Sequence, residues 1–164
     1  MGGPIWSDPI HDPEFLEQLM KTVLTDRGSR LGTYKRIVGI LAVVQEELHD
    51  IPLYYTIEKL SCVLKLEMMP MLKLRSALLF EGFRVSYSHA SKTSIKTDAP
   101  IGVIWDILRC WAKVKPVKPE RYLEGSALKA ILSVEPSKEY RIHDIHPLAN
   151  PSSRKDCKFL KLRF

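Results

Sequence analysis

A chain of 164 residues with 45% apolar and 27% charged side chains can build one sizeable core, which excludes wholesale disorder. Its formal net charge of +6 and pI near 9.2 favour anionic partners. Cys62, Cys110 and Cys157 are odd in number, scattered and without a CxxC pair. That excludes a disulfide scaffold, argues against a structural zinc site and suits a reducing compartment.

No apolar run reaches the length of a bilayer span, and the start Met-Gly-Gly-Pro-Ile-Trp does not read as a signal peptide. An intracellular protein without a membrane partner is expected. The positive excess lies late in the chain, with 6 basic and 3 acidic residues in 76–115 and 10 and 6 in 116–164.

In chain order, residues 1–10 are turn-rich around Trp6, which is expected to pin an arm to a neighbouring surface. Asp12 reads as a helix cap with Pro13 in the first turn, and Phe15, Leu19 and Val23 follow on one face. A second helix of about 15 residues starts at Thr33 and presents Ile37, Ile40, Leu41, Val44 and Leu48.

The stretch 53–100 is the organising unit. A short extended piece, Leu53-Tyr54-Tyr55, leads into a helix capped by Thr56 with Leu60, Val63 and Leu64 on one face. Pro70 opens a second helix after a tight corner, Leu74, Ala77 and Leu78 recur on its apolar face, and Gly82 is a natural stop. The period then drops to two. Val85 and Tyr87 point one way and Arg84, Ser86 and Ser88 the other, with residues 91–94 as the hairpin tip. Helix, corner, helix, hairpin is the order of a winged helix-turn-helix.

Beyond it, Asp98 is expected to cap a helix entered through Pro100, with Ile104, Ile107, Leu108 and Trp111 as its buried stripe. Cys62 and Cys110 read as small buried hydrophobes. From Lys115 the texture loosens into an arm, with a short helix at Ala127–Leu132 capped by Ser126. The tail from Arg154 to Phe164 is basic. The expected fold is therefore α+β: an N-terminal helical arm (1–30), a winged-helix core (31–115) and a basic C-terminal extension packing on that core (116–164).

Chemistry is harder to find. No glycine-rich strand-to-helix turn, P-loop, GxSxG, HExxH or paired-carboxylate motif stands in the chain. His143 and His146 flank Asp144 without helical context or Cys partners, so no metal is expected. A binding module is the reading that remains. Its best surface is the hairpin, where Ser88, His89, Lys92, Lys96 and Thr97 crowd hydroxyls and cations suited to phosphate oxygens. Lys73 and Arg75 on the exposed side of the second helix, and Arg109 and Lys113 beyond the hairpin, join them as candidate RNA contacts. Arg154 and Lys155 are further candidates. The lack of Asn or Gln on that helix favours backbone and shape contacts over base reading.

The segments GGPIW…PIHDPEF, IPLYYTIEKLS, KLRSALLFEGFRVSYSHASKTSIKTDAP, IWDILRCWAKVKPVK and NPSSR resemble the C-terminal domain of the eukaryotic-type tRNA (guanine-26-N2)-dimethyltransferase family. The resemblance spans nearly the whole chain. It implies that this part positions tRNA for a methyltransferase domain of the same polypeptide, which binds S-adenosylmethionine and is not in this sequence. No catalytic or cofactor-binding residue carries over, and the fragment alone is expected to be inactive. The motif Ser88-His89-Ala90…Lys92…Ile95-Lys96-Thr97 is implied to face RNA, while Asp98 and Pro100 shape the backbone. Work on tRNA in the nucleus, mitochondrion or cytoplasm is implied as well. The reading from another class is a protein-interaction module whose apolar arm, with Trp6 and Phe15, mates with a partner domain.

Overall fold

A computed structural model describes residues 3–4, 6–25 and 30–150. Among them are six α-helices and one three-stranded antiparallel sheet, a mixed α and β architecture. The helices are α1 (Pro13–Leu24), α2 (Tyr34–Glu46), α3 (Ile57–Val63), α4 (Met71–Phe80), α5 (Ile101–Val114) and α6 (Ala127–Leu132). The strands are β1 (Tyr55–Thr56), β2 (Val85–Ser88) and β3 (Ser91–Thr97), in the order β1-β3-β2. None of these helices is long and apolar enough to cross a membrane.

The main core is built from α3, α4, α5 and one face of the sheet. Ile57 and Leu64, Leu74, Ala77 and Leu78, Ile95, and Ile104, Ile107, Leu108 and Trp111 form a single buried cluster. The cluster extends into the segment after α5, where Val117, Leu128, Tyr140 and Ile142 are sealed against the same helices. A second, smaller cluster joins α1 to α2 through Leu16, Val23, Leu41 and Val44.

Local chemistry sets several boundaries. Asp12 caps α1, its carboxylate accepting from the backbone of Glu14 and Phe15, as the N-terminal amides of a helix require. Ser126 caps α6 through Lys129 N–H. α4 stops at Gly82, which takes φ +82°. There Phe83 N–H reaches Leu78 O and Gly82 N–H reaches Leu79 O, a paired closure that satisfies the last carbonyls. Lys65 closes α3 the same way at φ 50°, with Leu66 N–H on Ser61 O and its own N–H on Cys62 O.

Six expectations change, the first being that Thr56 gives α3 no side-chain cap. The hairpin tip is His89-Ala90 rather than 91–94, and the Ser91–Thr97 run is strand: Ser88 pairs with Ser91, Tyr87 with Ile95 and Val85 with Thr97. Asp98 does not cap α5, which has no side-chain cap. It instead accepts from the backbone N–H and Nε of Arg84, and Asp50 takes the other end of that guanidinium. Phe15, Ile40 and Val63 fall outside the apolar faces to which the periodicity assigns them, since Leu16, Leu41 and Leu64 take the inward positions. Cys62 is exposed while Cys110 is buried. Trp6 is 68% exposed, so it is not buried against the described residues.

Candidate nucleic-acid interface

Both faces of the hairpin are covered, and this decides what the candidate residues do. Tyr87 and Ile95, paired across β2 and β3, turn toward the main core. The opposite face, with Ser86 and Lys96 as a pair, lies under the C-terminal end of α2. Leu48 N–H donates to Ser86 Oγ at 3.0 Å, and Glu47 enters the space beside it.

Glu47 is the centre of a sealed polar cluster. Its Oε1 accepts from Lys96 Nζ at 3.1 Å and from Ser88 Oγ at 3.1 Å. Its Oε2 faces His89, 2.6 Å from ring Nδ1 and 3.2 Å from the backbone N–H. Lys96 also donates to Leu48 O. Burial pushes the Glu47 carboxyl up, but the hydrogen bonds from His89 and Lys96 outweigh it and hold the group below its ordinary value. The ring of His11 packs edge-on against His89 at 5.0 Å and against His49 at 5.8 Å. Burial, and then the neighbouring His89, lower the His11 pKa.

Several of the candidate contacts are turned inward. Lys96 is 2% exposed and Arg75 4%, so neither stands on an outer face. Arg75 Nε donates to Ala149 O at 2.9 Å, and its guanidinium stacks 4.3 Å over Tyr87. Ser88 and Thr97 are buried too. Thr97 Oγ1 donates to Arg84 O and accepts from Ala99 N–H, locking the end of the hairpin. Arg109 is held by Asp106 at 2.5 Å and donates to Ile131 O, tying α5 to α6.

Of the remaining candidate contacts among the described residues, Lys92 and Lys113 are exposed and Lys73 is half-buried. Lys92 stands on β3 close to the hairpin turn. Lys73 of α4 lies 5.3 Å over the Trp111 ring. Beside it Lys115 pairs with Glu67, whose backbone carbonyl accepts from Trp111 Nε1. Lys113 reaches Glu135 at 2.8 Å. Such surface pairs contribute between about 0 and 1 kcal/mol, so they yield readily to a competing phosphate. Arg154 and Lys155 lie outside the described residues.

Sequence reasoning missed Glu47, His11 and His49. The signal was slight. Glu47 is one of two adjacent glutamates at the end of a helix, and the histidines it draws together are 78 positions apart at the extremes, His11 and His89.

The family model for N2,N2-dimethylguanosine tRNA methyltransferases matches residues 1–109. The chain is 61% identical over 157 residues to the Drosophila melanogaster tRNA (guanine(26)-N(2))-dimethyltransferase, covering 96% of this chain and 27% of that protein. The human protein of the same name is 49% identical over 154 residues, 94% of this chain and 23% of its own length. A solved structure described as Trm1 from Pyrococcus horikoshii in complex with S-adenosyl-L-methionine is also similar. There the TM-score is 0.52 and the identity 31%, over 62% of this chain and 26% of that one. These matches define a tRNA-modifying methyltransferase family. The chain belongs to the N2,N2-dimethylguanosine tRNA methyltransferase family, and it spans about a quarter of the length of the curated relatives it matches.

Proposed function

We propose that this chain is the tRNA-holding part of a tRNA (guanine-26-N2)-dimethyltransferase, with S-adenosylmethionine bound by a separate methyltransferase domain of the same polypeptide. The observation that carries the reading is the family match, which runs through the helix pair and the hairpin. The element order β1-α3-α4-β2-β3, with β1 joined to β3, supports a winged helix flanked by an arm and a basic extension. On this reading Lys92 near the hairpin turn and Lys73 and Lys113 on the α4–α5 side meet phosphates. Arg154 and Lys155 add to them from the tail. Lys96, Arg75, Ser88, Thr97 and Arg109 serve by holding that surface in shape. Its work is tRNA modification in the nucleus, mitochondrion or cytoplasm.

Gel-shift titration with tRNA against duplex DNA of equal length tests the reading, together with calorimetric titration of S-adenosylmethionine into the chain. Preference for tRNA and no cofactor binding are the expected results. Equal binding of both nucleic acids overturns the assignment, and cofactor binding moves the catalytic pocket into this chain.

The exposure of Trp6 and Phe15, 68% and 60%, favours a second, compatible role in which the arm docks on the methyltransferase domain. Loss of that docking in a Trp6→Ala variant, with tRNA affinity of the isolated chain unchanged, is the expected outcome.

A further inference from the structure

We propose that His11, Glu47 and His89 form a binding site for a divalent transition-metal ion of the zinc type, which staples the N-terminal arm to the hairpin turn and the end of α2. One donor atom from each of the three lies within 4.8 Å of the others. Two imidazoles and a carboxylate are a donor set that such ions accept, with a fourth position left for water. Donors at about 2.1 Å from a tetrahedral ion stand about 3.4 Å apart. A contraction of the cluster by less than about 1.5 Å is therefore enough, and the 2.6 Å contact of Glu47 with His89 opens by less than that.

A hydrogen-bonded network alone leaves a ring nitrogen of the cluster stranded. His11 Nε2 is buried without a hydrogen-bond partner among the described residues, a condition that native interiors avoid. The two oxygens of Glu47 already divide the work. Oε1 is held by Lys96 and Ser88, which is the orienting support that metal-binding carboxylates need. Oε2 faces His89, where an ion replaces the shared proton. Binding places the cation between Oε2 and His89 Nδ1, and the proton on that nitrogen moves to the ring's other nitrogen or to solvent. The Lys96 ammonium opposes a second positive charge, so the affinity is micromolar rather than that of a closed structural zinc site. Such a site is independent of whether the chain holds tRNA.

The test is titration of Zn²⁺, and of Co²⁺ as a spectroscopic probe, into the chelator-treated chain kept under reducing conditions. The expected result is one equivalent bound at micromolar affinity, a raised Tm, and a Co²⁺ spectrum without a sulfur-to-metal band. His11→Ala should weaken binding by more than the roughly 10–100-fold that loss of an outer partner costs. His11 precedes α1 and lies outside both hydrophobic clusters, so this variant folds and keeps the test readable by circular dichroism. A double change of His143 and His146 to Ala, away from the cluster, should leave affinity unchanged. Absence of binding overturns the proposal. So does a sulfur-bound Co²⁺ spectrum, or equal affinity in wild type and His11→Ala.

Discussion

Lys96 Nζ lies 3.1 Å from Oε1 of Glu47, with the lysine side chain 3% exposed and the glutamate fully enclosed. A residue that reads in the sequence as a phosphate contact is thus the counter-ion of a carboxylate contributed by another element. Breaking a buried pair leaves the remaining charge without compensation, at a cost of about 3–5 kcal/mol. Lys96→Met should therefore lower the unfolding free energy by about 3 kcal/mol, the low end of that range, because Ser88 and His89 still serve Glu47. Urea denaturation followed by circular dichroism checks this. A change below about 0.5 kcal/mol, as for an ordinary surface residue, contradicts the burial.

Asp106 provides a pH-dependent contribution. Burial raises its pKa, yet donation from Ser137 Oγ and N–H and then from Arg109 brings it below the ordinary 3.8. A carboxylate depressed in the folded state contributes stability that is complete above the unfolded value of about 4 and drains away as pH falls through the folded value. Asp106→Asn should be less stable than wild type at pH 6 by about 1–3 kcal/mol. The gap should narrow steadily in unfolding experiments taken down toward pH 3. A gap independent of pH rules out the ionised group as its source.

Gly82 tests the closure between α4 and the hairpin. A Cβ there meets nothing within 4 Å, but the backbone sits at φ +82°. Gly82→Ala should therefore cost about 1–2 kcal/mol by conformation alone. Gly82→Asn should cost less, because Asn tolerates the left-handed region. Thermal melts of the two variants give the comparison, and equal loss in both contradicts it.

Much of the secondary structure is legible because it rests on short-range physics. The Asp12 and Ser126 caps, the glycine stop at position 82, the period-two run of 85–88 and the Leu74, Ala77 and Leu78 face all fall where periodicity and turn chemistry put them. The failures share one cause. Whether Ser86, Ser88 and Lys96 face water depends on α2 lying across the sheet, which is decided by contacts some 40 positions apart in sequence. Alternation marks the two faces of a strand but does not say that both are covered. In the same way, polarity marked Asp98 as a cap candidate, while the choice between α5 and Arg84 was settled by where Arg84 comes to rest. Glu47 had only the slight signature of a glutamate pair at a helix end. The division of cations into fully buried ones and those that reach solvent was therefore invisible before the fold.

That division is the centre of the account, and the salt dependence of tRNA binding tests it most directly. Removing one phosphate-binding cation flattens the plot of log K against log salt by about 0.7–0.9. A chain carrying Lys73→Ala, Lys92→Ala and Lys113→Ala should bind tRNA more weakly, with a slope shallower by about 2 units or more. Lys96→Met, assayed where it is fully folded, should keep the wild-type slope. An unchanged slope in the triple variant, or a flattened one in Lys96→Met, would contradict it.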